Sequence, residues 1–170
     1  MQIFKSKRSR LLLIILALII AFGVTTASAQ DKVKVKIKKF IVITKYEVTE
    51  VPDTEGHILL QYEAKDISSD GRLICYKTAQ ADYIKGTGPV KGYNECVSRE
   101  GGTLIDKFEG MSTTKKSPEG KNIKTFKGTY TYIKGTGKYE GIQGGGTFHG
   151  MEIGKGILSI EAEGEYIIKK

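Results

Sequence analysis

Apolar and polar residues alternate with period two along most of the chain after residue 30. In residues 33–38, Val33, Val35 and Ile37 fall on one face and Lys34, Lys36 and Lys38 on the other. That is the pattern of a half-buried strand. Residues 40–48 continue it with β-branched and aromatic side chains, until Pro52-Asp53 and Glu55-Gly56 interrupt the run. In residues 57–67, Ile58, Leu60, Tyr62 and Ala64 oppose Gln61, Glu63 and Lys65. Ser68-Ser69-Asp70-Gly71 then reads as a hairpin turn. Further strands are expected over 72–85, 93–98, 103–111, 122–134, 147–153 and 156–170. The last is the most regular, with Leu158, Ile160, Ala162, Gly164, Tyr166 and Ile168 inward and Ser159, Glu161, Glu163 and Glu165 outward. About eight short strands with no helical period among them mean a sandwich or a barrel.

The first thirty residues are of another kind. Lys5, Lys7, Arg8 and Arg10 precede an apolar run from Leu11 to Val24, and small residues end in Ala27-Ser28-Ala29. This is the layout of a secretory signal peptide cleaved between Ala29 and Gln30. Fourteen apolar residues give a helix of ~21 Å, short of the ~30 Å of a bilayer core. The expected domains are therefore a signal peptide at 1–29 and a barrel or sandwich at 30–170. Contact with membrane is expected only through the transient signal peptide, and the address is periplasmic or secreted.

Charge changes meaning once that segment is set aside. The whole chain carries 27 Lys+Arg, 19 Asp+Glu and a formal +8. Removing the four basic residues named above leaves 23 against 19, a net +4. Mild basicity spread over a domain does not make the dense basic face that nucleic-acid binding needs, and no nucleic acid is expected. In an oxidising compartment Cys75 and Cys96, the two cysteines, are expected to pair, closing a loop worth on the order of 3 kcal/mol. The other reading is two buried thiols acting as small apolar groups. There is no C-x-x-C, and no cofactor or metal is expected.

The glycine-rich stretch from Gly135 to Gly146 invites a nucleotide-loop reading that fails. Its third glycine is one place late for G-x-G-x-x-G, a strand rather than a helix follows, and Lys138 precedes Tyr139 rather than Ser or Thr. The stretch is expected to be a tight connection between strands. Taken from Tyr130 to Phe148, YTYIKGTGKYEGIQGGGTF, the segment resembles the "GGTGKYxGIxGxGTY" hairpin of exported bacterial barrel proteins. These are related to the allene oxide cyclase and dirigent barrel superfamily. Cys96 followed by Gly101-Gly102, and the closing Gly164-Glu165-Tyr166, fit the same pattern, and the resemblance spans roughly 58–170. Gly101-Gly102 stands where those bacterial relatives commonly have an acidic turn. The resemblance implies an all-β fold, a single eight-stranded antiparallel barrel with a hydrophobic cavity, often oligomeric. Plant members cyclise an epoxide or orient radical coupling, and none of their catalytic residues can be placed here.

Candidate chemistry follows from the inward rows. Tyr62, Tyr130, Tyr132 and Tyr166 either line a cavity and offer hydroxyls to a ligand or are core residues with their hydroxyls reaching the surface. Asp106 lies between Leu104 and Phe108 in an inward row. It is either paired or functional there, or turned outward by a bulge. His57 and His149 each stand beside a turn or a glycine with no carboxylate at telling spacing. Glu161, Glu163 and Glu165 read as the solvated face of the last strand, and Lys115, Lys116, Lys121 and Lys124 as a solubilising basic loop. The leading expectation is a non-catalytic module that binds a small apolar molecule or a partner protein. The alternatives are a cyclase or isomerase acting in the cavity, and a structural barrel filled completely. An interior that presents Asp106 or tyrosine hydroxyls favours the enzyme, and a purely apolar one favours the binder.

Overall fold

The structure, a computed structural model, describes residues 31–169. The expected signal peptide and its Ala29–Gln30 cleavage site lie outside the described residues. Eight strands follow in chain order: β1 (Val33–Glu50), β2 (His57–Ser68), β3 (Leu73–Ile84), β4 (Gly88–Ser98), β5 (Thr103–Lys116), β6 (Asn122–Gly135), β7 (Ile142–Gly154) and β8 (Ile157–Ile168). Each pairs antiparallel with its neighbour, and β8 returns to β1, so the sheet is a closed barrel. Period-two alternation produces this directly. Closure turns one face of every strand into a shared interior and leaves no unpaired edge.

The seam between β8 and β1 is written in charge. Lys34, Lys36 and Lys38 stand in register with Glu165, Glu163 and Glu161. Lys36 Nζ lies 2.7 Å from Glu163, Lys38 Nζ 3.9 Å from Glu161, and Lys32 Nζ 2.5 Å from Glu165. The glutamates are thus the solvated face, as expected, and they meet the lysine face of β1. Opposite charges across a strand pair favour this partner, and like charges would oppose others.

Three expected boundaries move. β4 begins at Gly88 rather than 93, β5 runs on to Lys116 rather than 111, and β7 begins at Ile142, inside the stretch expected to be a connection. Only one 3-10 turn, Gly137–Tyr139, intervenes before it. The glycines misled because several serve close approach inside strands rather than turning. A Cβ on Gly128 would come within 2.7 Å of the Phe148 ring, and one on Gly110 within 2.9 Å. One on Gly164 would meet the Tyr130 hydroxyl at 2.7 Å. These positions seat aromatic rings that cross the barrel.

Cys75 and Cys96 face each other in register on β3 and β4 and form a disulfide, fully buried. On the outside, Phe40, Ile67, Ile74 and Val97 are exposed and stand side by side across β1 to β4.

His57 corrects an expectation. Its Nδ1 lies 2.5 Å from Asp53 Oδ1 and its Nε2 2.7 Å from Asp82 Oδ1. Asp53 stands four residues before it, in the turn between β1 and β2, and was passed over; Asp82 comes from β3, which local spacing does not show. With a carboxylate at each nitrogen, the protonated ring can donate from both N–H groups. The bond to Asp53, then that to Asp82, raises its pKa above the usual value. A folded pKa raised above the unfolded one stabilises the protein fully below pH ~6.5, and this support is lost as pH rises through the folded value. We expect the thermal midpoint to fall as pH rises above ~6.5, and the difference between wild type and His57→Gln to shrink with it. Parallel pH curves for the two proteins would refute the clamp.

Candidate functional site

The interior splits into layers because inward rows carry different chemistry at different heights. One apolar cluster contains Ile41, Tyr62, Ala79, Tyr83, Val90, Phe108, Phe126 and Tyr130, and the second contains Leu73, Cys75, Cys96, Leu104, Tyr139 and Ile142. Between them runs a belt of polar side chains: Lys39, Asp66, Lys77, Asn94 and Asp106. Asp66 is 2 % exposed, Asp106 5 % and Lys77 8 %. Lys39 Nζ lies 3.7 Å from Asp66 Oδ2 and 3.6 Å from the Cys75 sulfur. Asn94 Nδ2 donates to Asp106 Oδ1 at 2.7 Å. Asp66 Oδ1 and Asn94 Oδ1 are buried and have no donor. Lys77 makes no hydrogen bond or contact ion pair among the described residues, and its ammonium sits 4.1 Å above the Phe108 ring.

This belt borders a chamber of about 80 Å³, whose other walls include Tyr62, Phe108, Phe126, Tyr130, Tyr132 and Phe148. Above it, at the end formed by the β2–β3, β4–β5 and β6–β7 connections, lies a vestibule of about 230 Å³. Ile37, Leu73, Leu104 and Tyr132 line both spaces and so form the partition. Tyr130, Tyr132, Tyr166 and Tyr139 make an edge-to-face series from chamber to vestibule, with successive ring centres 5.4, 6.1 and 6.4 Å apart. Tyr139 donates to the Ser98 hydroxyl at 3.3 Å.

The vestibule rim is ionic. Arg72 Nε donates to Asp70 at 2.6 Å, and Lys138 donates to Glu100. The Ser68 hydroxyl, then Arg72, hold the Asp70 carboxyl down at about 2. The opposite end is plugged. Tyr83 is 2 % exposed, and Lys124 Nζ stands 4.3 Å from its ring centre and 5.7 Å from that of Phe126. Burial pushes the Tyr83 hydroxyl up to about 12. Lys124 therefore leaves the expected solubilising loop, because residue 124 falls on the inward phase of β6.

Burial dominates the electrostatics of the belt. It pushes Lys77 below its usual value, against the attraction of Asp66 and Asp106 and with help from Lys39. It raises Asp106 against Lys39, the Asn94 hydrogen bond and Lys77. The Tyr62, Tyr130 and Tyr132 hydroxyls are likewise pushed up by burial. A carboxyl inclined to keep its proton and an amine inclined to lose one are the groups acid–base chemistry requires.

Of the residues singled out by sequence, Tyr62, Asp106, Tyr130 and Tyr132 line the chamber, and Tyr132 and Tyr166 the vestibule. Asp106 faces inward. The bulge beside it belongs to β6, where Ile133 is the extra residue, so Asp106 keeps its phase opposite Tyr132. Sequence reasoning missed Lys39, Asp66, Lys77 and Asn94. Each lies two residues from a recognised inward or paired position: Ile37, Ala64, Cys75 and Cys96. Following each row to its end would have found them.

Comparison with solved structures now has a geometry to refer to. A protein of unknown function of the DUF3224 family from Shewanella oneidensis MR-1 superposes with a TM-score of 0.55 at 15% identity, over 82% of this chain and 99% of that one. The pterocarpan synthase dirigent protein PsPTS1 superposes with a TM-score of 0.50 at 11% identity, over 82% and 97%. The fold is the allene oxide cyclase and dirigent-type barrel. No family profile matches the chain, and no curated protein does.

A buried lysine nitrogen with no carboxylate in contact costs stability, whether it holds its charge there or gives up a proton to stay. We expect Lys77→Met, which keeps the length and removes the charge, to raise stability by about 1–4 kcal/mol in urea unfolding. A lower urea midpoint would mean that the ammonium is stabilised where it sits.

Proposed function

We propose that this is an exported barrel whose chamber takes up a small, largely apolar molecule bearing one polar group, entering through the tyrosine-lined vestibule. The carrying observation is the pair of buried acceptors, Asp66 Oδ1 and Asn94 Oδ1, without donors at the wall of a cavity. A buried acceptor without a donor costs free energy that a ligand hydroxyl or N–H would recover. A completely filled barrel does not fit an interior that contains a chamber. Export is supported by the disulfide and by the N-terminal sequence.

A second reading, catalysis of cyclisation or isomerisation in the chamber, is favoured by one observation. Asp106 and Lys77 are shifted in opposite senses inside a site walled by apolar side chains. The cavity is not purely apolar, and that inclines the choice toward chemistry. The shared fold with a pterocarpan synthase agrees with this reading without specifying a reaction.

Uptake is tested with 3-phenylpropan-1-ol, a slim aryl body with one hydroxyl. At a hundredfold excess over its Kd it should stabilise the protein by about 2.7 kcal/mol. The effect should vanish in Ala162→Leu, which fills space at the chamber wall. No shift in wild type, or an equal shift in both proteins, would count against the cavity.

The exposed row Phe40, Ile67, Ile74 and Val97 supports a further part of the proposal, that copies of the chain associate through it. Contiguous exposed apolar surface marks an interaction site. Sedimentation should show an oligomer that Ile74→Glu dissociates to monomer. A wild-type monomer at high concentration would end this part.

A further inference from the structure

We propose that Lys77 is a carbonyl-capturing amine, forming a reversible imine with an aldehyde or ketone that carries a slim apolar body. This rests on the reading of the chamber as a ligand site and names the chemical class that site takes. Four observations lead to it. Lys77 lines the chamber, so its amine can meet a bound molecule. Unlike Lys39, which is engaged with Asp66, Lys77 has no contact carboxylate and rests on the face of Phe108. A lysine in a desolvated pocket beside a second cation is the environment that keeps an amine neutral and nucleophilic. Here burial disfavours its charged form, and Lys39 acts in the same direction.

The charge pattern of the belt selects a neutral ligand. Two lysines face two aspartates, with Asn94 beside them. An incoming carboxylate would bring only further acceptors to Asp66 Oδ1, which already lacks a donor. A carbonyl compound adds no charge, and its adduct supplies a donor. Among the described residues, the groups able to titrate around the amine are Lys39, Asp66 and Asp106, with the Tyr62, Tyr130 and Tyr132 hydroxyls in the same walls.

The step balances without an external oxidant or reductant. The neutral Lys77 amine adds its electron pair to the carbonyl carbon, forming a C–N bond as the C=O π pair moves to oxygen, and one of the two nitrogen protons passes to that oxygen. In the resulting carbinolamine the hydroxyl is a new donor for Asp66 Oδ1 or Asn94 Oδ1. A proton from Asp106, whose carboxyl burial keeps inclined to hold one, lets the oxygen leave as water. The remaining N–H proton returns to the carboxylate, leaving the imine. Overall, amine and carbonyl compound give imine and one water. The chamber of about 80 Å³ admits the carbonyl and the atoms next to it, and a slim chain or flat ring extends toward the vestibule.

Reductive trapping tests the idea on the purified, folded chain. Incubation with 3-phenylpropanal and cyanoborohydride near neutral pH, then peptide mapping, should find Lys77 alkylated roughly tenfold or more faster than any surface lysine, since exposed amines are almost wholly protonated there. The non-reactive 3-phenylpropan-1-ol should suppress the adduct, and Lys77→Met should abolish it while remaining folded by circular dichroism. Labelling confined to exposed lysines such as Lys115 and Lys116, equal in wild type and variant, overturns the proposal. If the alcohol stabilises the protein while the aldehyde leaves Lys77 unmodified, capture is refuted and the ligand chamber stands. If the alcohol has no effect and Lys77 is unmodified, both fall together.

Discussion

Closure of the sheet is the constraint on which everything else in this molecule depends. Once β8 pairs with β1, eight inward rows must share one narrow volume, and each side chain in that volume is chosen against those facing it. A large ring on one strand requires a hydrogen on another, which accounts for Gly110 and Gly128 beneath Phe148 and Gly164 beneath the Tyr130 hydroxyl. The glycine content that looks like loop composition is thus part of core packing. The same closure explains the exterior of the seam. The lysines of β1 and the glutamates of β8 lie at opposite ends of the chain, and their pairing brings those ends together.

Charge inside such a barrel is held at a cost, and this chain gathers a cluster of it at one height, apart from Lys124 in the plug. Above and below the belt the interior is apolar and aromatic. Within it the hydrogen bonding is incomplete, with two acceptors unserved and one ammonium left to an aromatic face. An apolar core of the same shape would serve stability better. Retaining a half-satisfied polar layer at the wall of a cavity is the arrangement expected where function rather than stability has set the residues.

Much of the fold was legible because period-two alternation needs no tertiary information. The rows of β2 and β8 could be read from neighbouring residues alone, and the pairing of the two cysteines from the expected oxidising compartment. What could not be read were contacts made across the barrel. Of the two carboxylates at His57, Asp53 is four residues away in the preceding turn, but Asp82 comes from β3, and the clamp needs both. The inward turn of Lys124 depends on the phase of β6, and the loop-like run of lysines before it hid that phase. The polar belt falls between these cases. Each member sits in an inward row, but a lone charge in an apolar row is easily taken for the row's end. Only the register of β3 through β5 puts Lys77, Asn94 and Asp106 in one row, with Lys39 and Asp66 likewise falling between the two apolar clusters.

Among the described residues, the plug of Tyr83, Lys124 and Phe126 closes one end of the barrel, and on the proposed reading the vestibule is its door. Whatever reaches the chamber leaves by the path it entered, against any successor waiting in the vestibule. Exchange is then sequential, and residence time is set by how fast the partition of Ile37, Leu73, Leu104 and Tyr132 lets an occupant back out. Such a vessel suits holding or transforming one molecule at a time and is poorly suited to passing a stream of molecules through.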